Sequence, residues 1–169
     1  MRRRRAAAFS AVAAGLMTVT SACGLVGESE GAPAPSSREP APPFTTQTVA
    51  DEIAGFARAG GLPEGDTSTA DLPEGEWRKC VVPWTGDAPA AGAAGAFEGT
   101  VLRLRQHDWE IVSSHAERDV TYRTLAKRGW KLYARHHAVK GAGQTVSLTA
   151  VEDGCRLPGR IRSTYEDPA

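Results

Sequence analysis

Apolar positions fall into three regimes along the chain. Residues 6–19 form one apolar run with no charge, residues 24–46 show no apolar period, and from residue 47 onward the spacing switches between helical and strand periods. Residues 47–59 place Val49, Ile53 and Phe56 at i, i+4 and i+7, one apolar stripe of a helix. Thr48 is the expected cap, and Gly60-Gly61 ends the helix. Residues 76–84 read as a strand, with Pro83 marking a sheet edge or a strand end. Residues 86–95, rich in Gly, Ala, Pro and Asp, read as a loop. Residues 96–107 carry Phe97, Val101 and Leu104 at helical spacing, although Gly99 and Thr100 weaken a helix. Leu102 and Leu104 also alternate with arginines, so a strand over 100–105 is the rival.

Residues 109–114 read as a strand. Residues 120–128 fit a short helix with Tyr122, Leu125 and Ala126 on one face and Gly129 after it; here too the pattern does not choose firmly between helix and strand. Residues 130–138 read as a strand, 140–143 as a turn, and 144–152 as a half-buried strand. In the last, Val146, Leu148 and Ala150 alternate with Thr145, Ser147 and Thr149. The two strands should pair as an antiparallel hairpin. The expected fold is α+β: a small, mainly antiparallel sheet of about four strands with two or three helices on one face. The globular domain is expected over 47–160, with 161–169 as a tail.

Two short repeats stand out. Leu62-Pro63-Glu64-Gly65 returns as Leu72-Pro73-Glu74-Gly75, and both copies read as turns. Leu104, Trp109, Ile111 and His115 match Leu125, Trp130, Leu132 and His136 at a spacing of 21. Convergent packing of Trp109 and Trp130 beside a turn accounts for the second match.

The first 22 residues belong to a different kind of segment. Arg2, Arg3, Arg4 and Arg5 precede the apolar run, which at 14 residues is shorter than the roughly 20 needed to span a bilayer. This is the arrangement of a secretory signal peptide over residues 1–22. Thr20-Ser21-Ala22-Cys23 follows it and resembles the lipobox of bacterial lipoprotein precursors. Ser21, Ala22 and Cys23 match that pattern, and Thr20 stands where an aliphatic residue is commoner. The resemblance covers only the leader. It implies that Cys23 takes a thioether-linked lipid, becomes the new N-terminus, and carries palmitate-type acyl chains into the bilayer. Two acyl chains hold a protein at a membrane where one does not, each buried CH₂ contributing roughly 0.8 kcal/mol. The alternative is ordinary cleavage after Ala22, leaving a soluble protein with a free Cys23.

Residues 23–46 hold five of the 11 prolines, Pro33, Pro35, Pro40, Pro42 and Pro43. They read as a disordered, partly extended tether, about 3.1 Å per residue where polyproline-like. With Cys23 lipidated, the remaining two of three cysteines, Cys80 and Cys155, form an even pair in an oxidising compartment. A disulfide is expected between them; two unpaired buried thiols are the alternative. Neither has a second cysteine at zinc-ligand spacing.

Charge follows the same division. The whole chain has 20 basic and 20 acidic residues, but residues 23–169 have 16 and 20, net −4. Nucleic acid is therefore an improbable partner for the exported form. Within the domain, residues 51–76 carry net −6 and residues 101–137 net +4, with all four histidines between 107 and 137. The basic stretch is a candidate face for an anionic partner. His115, His136, Arg135 and Arg123 are its candidate ligand residues, with His115 and His136 expected on the same sheet face.

Chemistry beyond that is thin. No Gly-x-Ser-x-Gly elbow, His-Glu-x-x-His helix or phosphate-binding glycine loop occurs in the sequence. Neither catalysis, a cofactor nor a resident metal is expected. The sequence points to a monomeric lipoprotein on the extracytoplasmic face of the cell membrane, a non-catalytic binding module of the envelope with an unknown ligand. The rival readings are a metal-binding protein or hydrolase using the His115/His136 face, and a passive structural protein.

Overall fold

The protein is described from a computed structural model covering residues 43–70, 72–138 and 143–165. The signal peptide, Cys23, most of the tether, the turn at 140–142 and the last four residues lie outside the described residues. Among those described, no helix is long and apolar enough to cross a membrane.

Helix α1 (Thr46–Gly60) buries Val49 and Ile53 of its predicted stripe together with Ala57, while Phe56 packs half-buried at the edge of the core. Its cap is Thr45 rather than Thr48: the Thr45 hydroxyl accepts the Thr48 N–H at 3.2 Å. Gly61 closes the helix at φ 96°, the left-handed conformation for which glycine is suited. A short 3₁₀ turn (Glu76–Cys80) leads into strand β1 (Val81–Ala88). Then follow α2 (Ala93–Gln106), β2 (Glu110–Glu117), β3 (Val120–Lys127), β4 (Trp130–His137), β5 (Gln144–Glu152) and α3 (Gly159–Tyr165).

The five strands form one antiparallel sheet in the order β1-β5-β4-β3-β2. The α+β class with an antiparallel sheet is as expected, with one strand more than the pattern suggested. The extra strand is β3, where the helical alternative for 120–128 fails. Gly129 does not end a helix there. It is the second residue of a two-residue hairpin turn, with Arg128 at φ 47° and Gly129 at φ 81°. Two positive φ values in succession match the twist of the flanking strands. Residues 100–106, in contrast, are helical within α2.

Strand β1 starts later and ends later than expected, because pairing with β5 carries it through Gly86, Asp87 and Ala88. Pro83 is accommodated on this edge strand. The Thr85 N–H donates outward to the Asp66 carbonyl at 2.8 Å. Pro83, two residues earlier, turns its nitrogen to the same outer side, so no ladder bond is lost.

The main core lies between one face of the sheet and helices α1 and α2. Val82, Trp84, Leu125, Leu132, Val146 and Leu148 meet Val49, Ile53, Phe97, Val101 and Leu104 there. Trp109 and Trp130, the matched tryptophans, are 1% and 2% exposed in this core. The Trp109 indole donates to Glu52 at 2.9 Å, and Glu52 also accepts from Lys127 at 2.7 Å. Helix α1 is thereby fastened to β3 by a largely buried ion pair whose charges are hydrogen-bonded.

Only α1 and α2 cover this face. Residues 161–169, expected as a tail, include most of α3, whose Ile161 packs on the opposite face against Trp77, Val81 and Val151. The Cys80–Cys155 disulfide lies in the same cluster, with a Cα–Cα distance of 5.9 Å. The two Leu-Pro-Glu-Gly copies also divide between the faces: Leu62 enters the main core and Leu72 the second cluster. Each copy's glycine lies against an indole, Gly65 on Trp84 and Gly75 on Trp77, where a Cβ would come within 2.3 and 2.5 Å of the ring.

Candidate functional site

The sequence placed His115 and His136 on one face, and the structure puts them on opposite faces. Trp130, Leu132, Ala134 and His136 alternate regularly onto the helix-covered face of β4. On β2, Ile111 pairs with Leu125, but the register shifts between Ile111 and Ser113, and His115 pairs with Tyr122. One extra residue in a strand reverses every side chain beyond it. The bulge thus undoes the correspondence that the 21-residue match implied.

His136 is 4% exposed and stacks on Phe97, with its Nε2 2.6 Å from the Gln144 side-chain oxygen. It is a satisfied core histidine. Arg123 also belongs to the helix side: it donates to Glu98 at 2.8 Å and to the Tyr122 carbonyl at 2.9 Å. The shared metal or hydrolytic face drawn from His115 and His136 does not exist in this arrangement. Among the described residues, no three His, Cys, Asp or Glu side chains come together in a way that could hold a metal ion.

His115 and Arg135 do share a face, the one away from α1 and α2. Cross-strand pairing lays His115, Tyr122, Arg135, Ser147 and Thr85 in one row across all five strands. His115 stacks on Tyr122 with ring centres 4.4 Å apart and planes at 12°. The Arg135 guanidinium carbon lies 5.5 Å from the Tyr122 ring and 5.7 Å from the Tyr165 ring. A guanidinium held by two aromatic rings has less rotamer freedom to lose on contacting a ligand.

A cavity lies beside Arg135 on this face. Its volume is about 490 Å³, and it is floored by Pro83, Thr85, Arg135, Ser147 and Thr149. The loop bearing Asp66, Ser68 and Leu72 borders it, as does Tyr165 of α3, while Asp87 lies near the end of β1. The loop is fastened by a pair of backbone hydrogen bonds between Asp66 and Thr85, at 2.7 and 2.8 Å. Both carboxylates are held in place: Asp66 accepts the Ser68 N–H at 2.7 Å, and Asp87 accepts the Thr145 hydroxyl at 2.8 Å. Tyr133, in the next row, stacks on Tyr165 at 5.5 Å and supports that wall.

His137 lies on the same face, two residues along β4 from Arg135. Burial, and then the Arg135 and His136 charges, hold its imidazole below the ordinary histidine value of 6.5. The row therefore carries its fixed positive charge on Arg135, with a readily deprotonated imidazole beside it.

Most of this groove was not marked as a site by the sequence. Thr145, Ser147 and Thr149 are visible there only as the polar half of an alternating strand. Tyr165 fell in the expected tail, and Asp66 between the two Leu-Pro-Glu-Gly turns. Comparison with known proteins finds no matching family model, no matching curated protein and no matching solved structure.

Proposed function

We infer that the chain is an extracytoplasmic lipoprotein, held to the membrane by acyl chains on Cys23, whose domain is a non-catalytic binding module. The observation that carries the binding half is the groove: one guanidinium set between two tyrosine rings in a cavity lined by hydroxyls and oriented carboxylates. Such a set of convergent polar groups in a concavity suits recognition of a small polar ligand. The compartment half rests on the leader, which resembles a lipoprotein signal. The Cys80–Cys155 disulfide agrees with it, since such bonds persist in oxidising compartments.

Intact-mass analysis of protein extracted from its native membrane, before and after reduction, tests the anchor. The expected product starts at Cys23, carries acyl mass, and gains two thiols on reduction. A Cys23→Ala chain that is still processed and retained in the membrane would sink this reading.

A further inference from the structure

We propose that the groove on the open sheet face binds an anionic sugar, with its carboxylate or phosphate on Arg135 and its hydroxyls on the far wall. This rests on the binding-module reading and names the ligand class. Arg135 is on β4, while the Asp66 and Asp87 carboxylates belong to β1 and the loop beyond it. Two strand spacings, about 10 Å, separate Arg135 from Asp87, and Asp66, bridged to the outer edge of β1, lies a third spacing away. One pyranose ring with a hydrogen bond at each end fills the span from Arg135 to Asp87.

The lining chemistry favours a polyol anion over a simple one. The Arg135 guanidinium presents only donors, arranged in a planar fork that matches a carboxylate or phosphate. Asp66 and Asp87 present only acceptors, and their negative charge opposes a second anionic group at that end. Ligand hydroxyls satisfy them by donating. Between the two ends, Ser147 and Thr85 line the floor. Each hydroxyl both donates and accepts, as sugar hydroxyls do. Tyr165 supplies an aromatic wall against which the C–H face of a sugar ring packs. An amino acid or peptide would pair its ammonium with the carboxylates, but its carbonyl oxygens only accept and do not match floor hydroxyls that both donate and accept.

The test is calorimetric titration of the full mature chain with four probes: glucuronate, glucose 6-phosphate, glucose and alanyl-alanine. Binding is expected for glucuronate, glucose 6-phosphate or both, with glucose weaker by about tenfold or more, the usual worth of a charge-assisted hydrogen bond. The two anionic probes distinguish carboxylate from phosphate recognition. Arg135→Gln is expected to lower affinity for the anionic probe to that of glucose. Tyr165→Ala, which leaves the sheet untouched, is expected to weaken all sugar probes together and serves if the arginine variant does not fold.

Equal binding of glucose and the anionic sugars would overturn the proposal. So would tighter binding of alanyl-alanine, or unchanged affinity in either folded variant. Absence of binding by every probe would overturn this ligand class, while the mass of the Cys23 product judges the anchored-module reading separately.

Discussion

At the scale of single residues, the groove's electrostatics rest on Arg135 and its neighbours. His137 is held below 6.5 by burial and by the Arg135 and His136 charges, so folding favours its neutral form. The sign of the effect on stability follows. Above the ordinary value the imidazole is neutral in both states and contributes nothing to the pH dependence. As pH falls through 6.5 the unfolded chain takes up the proton first, so the fold loses stability until the folded group also protonates. His137→Asn is expected to flatten that acid limb in urea unfolding measured at a series of pH values. In NMR titrations, Arg135→Gln should move the His137 midpoint upward toward the ordinary value. A midpoint that stays fixed would mean that Arg135 does not act on it.

At the scale of elements, two glycines of α1 make opposite predictions. A Cβ at Gly60 would lie 2.2 Å from the Thr100 hydroxyl oxygen and 2.5 Å from its backbone nitrogen. The helices α1 and α2 meet there, and Gly99 of α2 faces the Gly60 carbonyl in turn, with a Cβ distance of 3.0 Å. Gly60→Ala should cost about 1–3 kcal/mol through overpacking. Gly55, in the same helix, has nothing within 4 Å of its Cβ position. Gly55→Ala should stabilise by roughly 0.5–1 kcal/mol through helix propensity. Chemical denaturation of both variants checks the pair, and equal effects would contradict the packing of α1 on α2. The same region shows what spacing alone conveys. Gly99 and Thr100 weakened the helical reading of α2, yet they are the residues on which α1 closes. In β3, Tyr122, Leu125 and Ala126 keep a helical period by coincidence. They point to both faces of a strand once β2 and β4 pair on either side.

At the scale of the whole molecule, the disulfide ties the entry to β1 to the segment leaving β5, on the face that α1 and α2 do not cover. The second core there is small, so the covalent link carries much of its order. Closing a loop with a sequence separation of 75 stabilises by about 4 kcal/mol in the chain-entropy account. A Cys80→Ser/Cys155→Ser double variant is expected to lose stability of that order in thermal or urea unfolding. It should also lose protection from hydrogen exchange around Trp77 and Leu157 before the main core opens. Uniform loss across both faces would show that the two clusters unfold as one.

The local pattern determined much of this. The stripe of Val49, Ile53 and Phe56 marked α1, the alternation of 144–152 marked β5, and Pro83 marked an edge or a strand end. Cysteine arithmetic pairs Cys80 with Cys155. Each of these depends on short-range periodicity or on counting, which a chain carries in its residues. The site depended on what no local period contains. A single bulged position on β2 sent His115 to the face opposite His136. Cross-strand register placed Arg135 beside Tyr122 and Ser147. The 66–72 loop and α3 then made a groove from a row of polar residues that, in the sequence, is indistinguishable from solvated surface. Register and loop placement are set by contacts between residues distant in the chain, and only the tertiary structure decides them.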